Sequence, residues 1–125
     1  MLGFAFSGCS GRVAFQLGAA RKLQQIGLRP SVVTGASSGS LAAGAVASGR
    51  LDSIYDSWRL MLNEQVLFQP RRLLRGHWPM TMSHILRRGL DLWFGDLRMR
   101  DLPLSIGIPV TTIGRSGRRV RPLTN

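Results

Sequence analysis

Residues 31–48 read SVVTGASSGSLAAGAVAS, and the order of residue types within them decides the fold. Ser31 to Thr34 is a short run with two valines and a threonine, which predicts a buried strand. Ser38 to Ser48 is rich in alanine, which predicts a helix, and Gly49 closes it. Only Gly35, Ala36 and Ser37 lie between, so the chain turns sharply from strand into helix. A strand delivered straight into a helix start belongs to an α/β protein rather than to a sandwich or a bundle.

Toward the N-terminus, Leu2-Gly3-Phe4-Ala5-Phe6 predicts another short buried strand. Ser7-Gly8-Cys9-Ser10-Gly11 is a loop of small residues. Val13, Leu17, Ala20, Leu23 and Ile26 then recur at three- and four-residue spacing, which predicts an amphipathic helix. Gly27 is placed as its C-cap and Pro30 blocks continuation. Toward the C-terminus, Asp52 or Ser53 is placed to cap a helix with Ile54, Trp58, Met61 and Leu62 on one face. Leu73-Leu74 and Met82-Leu86-Leu90-Trp93 give further apolar helical faces, interleaved with Arg71, Arg72, Arg75, Arg87 and Arg88. Ser105 to Thr112 predicts a strand, and Gly114-Arg115-Ser116-Gly117 a turn. The order strand, loop, helix, strand, tight turn, helix predicts a parallel sheet. A crossover helix then brings the loop at 7–11 and the turn at 35–39 to one sheet edge, where open α/β sheets place their sites.

With 125 residues, 44% hydrophobic and 18% charged, the chain is sized and composed for one globular domain. The formal charge is 17 − 6 = +11, and it is uneven. Residues 1–70 carry six basic and three acidic side chains; residues 71–125 carry eleven arginines and three aspartates. A solvated Arg-rich surface is the plainer reading, and an anionic partner such as phospholipid headgroups or nucleic acid is the alternative. Cys9 is the single cysteine, which excludes an intramolecular disulfide and fits a reducing compartment. No run approaches a membrane span, and residues 1–6 are too short for a secretory signal. A cytoplasmic or peripheral membrane protein is expected.

Gly35-Ala36-Ser37-Ser38-Gly39 has the form Gly-x-Ser-x-Gly. A nucleophilic serine needs an exposed hydroxyl, a base and donors for the oxyanion. The corner between strand and helix supplies the exposure, and the flanking glycines keep Cβ atoms out of a crowded space. In a chain with 15 glycines the bare pattern also arises by chance, as a tight turn with Ser37 merely exposed. The strand–turn–helix context and the small-residue loop, whose Cys9 and Ser10 amides are expected to face Ser37, favour the catalytic reading. A phosphate-cradling loop is disfavoured, because neither Gly-x-x-x-x-Gly-Lys-Ser/Thr nor Gly-x-Gly-x-x-Gly is present.

Residues 7–18, Ser-Gly-Cys-Ser-Gly-Arg-Val-Ala-Phe-Gln-Leu-Gly, resemble the opening of the patatin-like phospholipases. Residues 34–41, Thr-Gly-Ala-Ser-Ser-Gly-Ser-Leu, resemble that family's elbow, which commonly reads Gly-Thr-Ser-Ala-Gly-Ala-Leu. The spacing between loop and elbow is similar too. The strong resemblance covers residues 4–60, and Phe94 to Thr111 is more loosely similar. It implies a three-layer α/β fold, a Ser–Asp dyad with Ser37 as nucleophile, and an oxyanion loop of Gly8, Cys9, Ser10 and Gly11 with Arg12 beside it. The family's usual Gly-Gly-Gly reads Gly8-Cys9-Ser10 here. Its Asp lies downstream in an Asp-Gly-Gly or Asp-Gly-Ala motif, whereas Asp52, Asp56, Asp91, Asp96 and Asp101 are followed by Ser, Ser, Leu, Leu and Leu. Residues 1–125 are therefore expected to form the N-terminal portion of the domain, with the Asp beyond them.

The function expected is hydrolysis of lipid or phospholipid acyl esters, with no metal and no organic cofactor implied. A non-catalytic remnant that binds lipid or a protein partner is the alternative. Binding of nucleic acid rests on charge alone, without a recognised motif. His77 and His84 are read as structural or surface residues, since an α/β-hydrolase histidine follows its acid. Trp58, Trp78 and Trp93, with Phe68, Leu73 and Leu74, are read as core, or else as a membrane-facing cover.

Overall fold

The structure is a computed structural model and describes residues 1–64, 68–77, 79, 81–115 and 117–125, with the backbone alone at 59–64 and 82. Four strands form one sheet in the order β1 (Gly3–Phe6), β2 (Val32–Gly35), β3 (Ser105–Gly114), β4 (Gly117–Thr124). The first three run parallel and β4 returns antiparallel to β3. The helices are α1 (Val13–Gln25), α2 (Gly39–Ala47), α3 (Leu51–Glu64) and α4 (Met82–Trp93), with 3₁₀ turns at Ser10–Arg12, Pro70–Arg75 and Met99–Asp101. The α/β class with a parallel sheet is as expected.

Because β1, β2 and β3 step across the sheet in one direction, right-handed crossovers put the connecting helices on one face. Phe4, Val33 and Ile106 form a row on that face and join the core with Val13, Leu17, Ile54 and Trp58. The next row, Ala5, Thr34 and Gly107, lies on the opposite face, and Ala5 and Thr34 are exposed. The described residues thus supply two of the three layers expected, the sheet and one layer of helices. Helix α2 lies against the sheet because its facing residues are small: Ala42, Ala43, Ala45 and Ala47 are fully buried.

Several expectations shift. The second strand runs Val32–Gly35, one residue later than expected, because Gly35 still pairs with Phe6. On α4 the buried positions are Ile85, Gly89 and Trp93, while Leu86 is half-buried and Leu90 exposed. Strand β4 has no counterpart in the sequence reading. Its Gly-Arg-Arg-Val-Arg-Pro-Leu-Thr carries three arginines and a proline, which only an edge strand tolerates. Trp58 and Trp93 are core residues, not a membrane cover: their rings stack 5.1 Å apart, and Trp93 Nε1 donates to Ser57 Oγ at 2.7 Å. Phe68, Leu73 and Leu74 are exposed. Trp78 and the side chains of Met61 and Leu62 lie outside the described residues. Among the described residues no helix is long and apolar enough to cross a membrane.

Candidate functional site

The corner between β2 and α2 is built by contacts that leave no room for side chains. A Cβ on Gly35 would fall on the carbonyl of Gly39. A Cβ on Gly39 would stand 2.5 Å from Phe6 O and 2.7 Å from Ser7 O. Both glycines of Gly-x-Ser-x-Gly are therefore steric requirements, and together they press the start of α2 onto the end of β1. Ala36 N–H donates to Phe6 O at 3.1 Å, which extends the parallel ladder by one bond. Gly39 N–H then donates to Ala36 O at 2.9 Å and Ser40 Oγ to Gly35 O at 3.0 Å, which close the turn.

Ser37 sits at the apex with φ +52°, and Ser10 in the neighbouring loop has φ +53°. No other non-glycine residue among those described has positive φ. A non-glycine residue in this region costs about 1–3 kcal/mol and persists only where its surroundings enforce it. Here the glycine contacts do so. Ser37 is exposed, and among the described residues no side chain hydrogen-bonds its hydroxyl.

The loop after β1 lies directly beside this corner. A Cβ on Gly8 would be 3.0 Å from Ser37 Cβ, 3.4 Å from Ala36 O and 3.7 Å from Ser37 Oγ. The structure thus brings Gly8 and Ser37 together as the sequence predicts. It treats Cys9 differently. The Cys9 amide, expected to face the space in front of Ser37, donates to Ser38 Oγ at 3.0 Å. Ser38 directly follows Ser37, and its short hydroxyl reaches the loop from the start of α2. The amides of Ser10 and Ser38 donate to no acceptor among the described residues. Gly11 meets nothing within 4 Å, so its lack of a side chain has no steric reason. Arg12 is exposed at the joint between loop and α1.

The sequence pattern assigns no role to Gln16, and the structure supplies one. Ser7 N–H donates to Gln16 Oε1 at 3.1 Å, and Gln16 Nε2 donates to Ser7 O at 2.9 Å. The same Nε2 lies 2.8 Å from Cys9 Sγ. One side-chain amide thus clasps both main-chain groups of Ser7 where β1 leaves the sheet. The sequence signal is a polar residue one turn into α1, beside a loop that lacks strand partners. Ser7, Cys9, Arg12, Phe15 and Gln16 line an open hollow of about 460 Å³.

The other titratable candidates lie elsewhere. Asp52 and Asp56 on α3 face Arg21 on α1, at 2.5 and 3.8 Å. Asp101 is 3.9 Å from Arg100, and Asp91 and Asp96 are exposed at and after the end of α4. His77 and His84 are exposed.

The family model for patatin-like phospholipase matches residues 4–124, nearly the whole chain. The chain belongs to the patatin-like phospholipase family. Membership extends the likeness well past residue 60, through β3 and β4, and makes the protein a lipid hydrolase in kind. Neither the comparison with curated proteins nor that with solved structures gives a significant match. In this patatin-like chain the strand–loop–helix opening and the Gly-x-Ser-x-Gly corner are in contact, although 29 residues separate Cys9 from Ser38.

Proposed function

We propose that the protein cleaves lipid carboxylic esters by acyl transfer through Ser37. The observation that supports this most is the placement of Gly8 against Ser37 at the strained corner. A serine held there presents its hydroxyl to solvent, beside main-chain amides and a helix start. Ser37 Oγ attacks the ester carbonyl and passes its proton to a carboxylate base. The Ser10 and Ser38 amides receive the oxyanion, joined by the Cys9 amide once Ser38 Oγ releases it. The carbon–oxygen bond to the alcohol breaks and the alcohol leaves with that proton. Water, deprotonated by the same carboxylate, then frees the fatty acid and restores Ser37.

We assign that carboxylate to an Asp outside residues 1–125, because each of the five aspartates described is exposed or set against an arginine. Asp52 and Asp56 are engaged with Arg21 and Asp101 adjoins Arg100; Asp91 and Asp96 lie out on the end of α4. The test is hydrolysis of phospholipid in mixed micelles by a chain that includes the downstream Asp, by its Ser37→Ala form and by residues 1–125 alone. The first turns over, the second does not, and the third shows at most a residual rate. Full-rate hydrolysis by residues 1–125 would place the base within them. Turnover that survives Ser37→Ala would refute the nucleophile.

A further inference from the structure

From Leu102 to Asn125 the chain carries Arg115, Arg118, Arg119 and Arg121, with no Asp or Glu and no aromatic residue. Strand β3 runs parallel to β2 and pairs with it only at Ser105, Ile106 and Gly107. From Ile108 to Gly114 its partner among the described residues is β4. At about 3.3 Å per residue, the hairpin extends roughly 20 Å past the last pair with β2. Parallel strands share a direction, so it projects from the carboxyl end of the sheet, the end that carries Ser37 and Gly8.

Register divides the arm into two faces. Ile113, Arg118, Thr111, Val120, Pro109 and Pro122 pair across one; Thr112, Arg119, Val110 and Arg121 pair across the other. Ile113 is 80% and Val120 68% exposed. The arm thus carries Ile113 and Val120 with Arg118 on one face, Arg119 and Arg121 on the other, and Arg115 at the tip, so that docked tip-first or edge-on it presents both kinds of side chain. It stands at the end of the molecule where the ester would be cleaved.

We infer that the β3–β4 hairpin is an interfacial arm that docks the protein on an anionic lipid surface with the Ser37 end of the sheet toward the membrane. Arginines near an anionic surface attract it electrostatically, and exposed aliphatic side chains enter the headgroup boundary. A single-stranded nucleic acid fits less well, because its binding relies on aromatic platforms and the arm has none. The orientation of the site toward lipid rests on the proposed function. The binding itself does not.

The test is co-sedimentation of the 125-residue chain with phosphatidylcholine vesicles and with vesicles of equal parts phosphatidylcholine and phosphatidylglycerol. The chain should partition into the anionic vesicles, less so at high salt, and Ser37→Ala should bind equally well. Replacing Arg118, Arg119 and Arg121 by serine should weaken that binding about 100-fold, at roughly fivefold per arginine. Ile113→Ser with Val120→Ser should weaken it further at high salt. All these side chains are exposed, so the tryptophan fluorescence of the Trp58–Trp93 pair should be unchanged and confirm folding. Leu73→Ser with Leu74→Ser should bind like the parent. Three results would overturn the inference: no preference for anionic vesicles, binding lost through Leu73 and Leu74 rather than the hairpin, or tighter binding to a single-stranded oligonucleotide at the same salt.

Discussion

Gly8 approaches Ser37 so closely that a Cβ added to Gly8 would stand 3.0 Å from the Cβ of Ser37. Backbone lies behind it, since Ala36 O is 3.4 Å from the same point. Gly8→Ala must therefore push the loop away from the corner or move Ser37. A displacement near 1 Å at a reacting group costs on the order of 100-fold in rate. The expected outcome is a loss of that size in phosphonate labelling of Ser37, with only a modest loss of stability. Gly11→Ala serves as the control, because nothing lies within 4 Å of its added methyl. It should leave labelling unchanged.

Gly39→Ala acts on the fold as well as on the corner. Its methyl would meet Phe6 O at 2.5 Å, the Phe6 carbonyl carbon at 2.7 Å and Ser7 O at 2.7 Å. These are backbone atoms of β1 and cannot rotate away. Overpacking of this kind costs typically ~1–3 kcal/mol, and a main-chain clash places this case at the upper end. Urea unfolding followed by tryptophan fluorescence measures it. A loss below about 0.5 kcal/mol would mean that β1 and α2 are not held in this contact.

Ser38 occupies the amide that the sequence assigned to the oxyanion. Cys9 N–H donates to Ser38 Oγ at 3.0 Å, at a position where related elbows commonly carry alanine. Ser38→Ala should release that amide toward the developing charge. One such donor is worth ~10²–10³ in rate when fully aligned. Part of that, about tenfold, is expected as faster labelling of Ser37. Slower labelling would show that the bond matters more as a tether between loop and helix.

Gln16 is a positioning residue on this account. Its amide holds Ser7 N–H and Ser7 O together, and Ser7 leads directly to Gly8. Gln16→Ala removes both bonds, at ~1 kcal/mol each, and should slow labelling by more than the lost stability explains. Gln16→Glu keeps the acceptor for Ser7 N–H but sets a carboxylate against Ser7 O. It should therefore fail to restore the rate at neutral pH and recover partly as the carboxyl is protonated. Equal rates for Gln16→Ala and the parent would limit Gln16 to a surface contact.

Much of the N-terminal half is legible in the sequence because the information there is local. Val32 and Val33, the three-residue turn and the alanine run fix β2, the corner and α2 through short-range propensity and sterics. Gly8 beside Ser37 follows from the handed crossover of α1. What escapes the sequence depends on tertiary partners. Strand β4 escapes the sequence reading because its pattern reflects a solvent-exposed edge rather than a buried face. Trp58 and Trp93 read as core with a membrane cover as the alternative, and their rings meeting at 5.1 Å decides for the core. The motif offers no partner for the Ser38 hydroxyl, and only the approach of the loop, 29 positions away, supplies one. The rotation of α4 onto Ile85 and Gly89 is set by where Trp93 finds Ser57, which no period reveals.

The central claim is that Ser37 is the nucleophile, and covalent adduct mapping tests it most directly. The protein is treated with a long-chain alkyl fluorophosphonate and digested, and the modified peptide is located by mass spectrometry, with Ser37→Ala treated in parallel. The account predicts a phosphonyl adduct on Ser37 and on no other serine, slow for residues 1–125 alone, and no adduct in Ser37→Ala. No adduct in the parent, an adduct on Ser7, Ser10 or Ser38, or equal labelling of Ser37→Ala would contradict it.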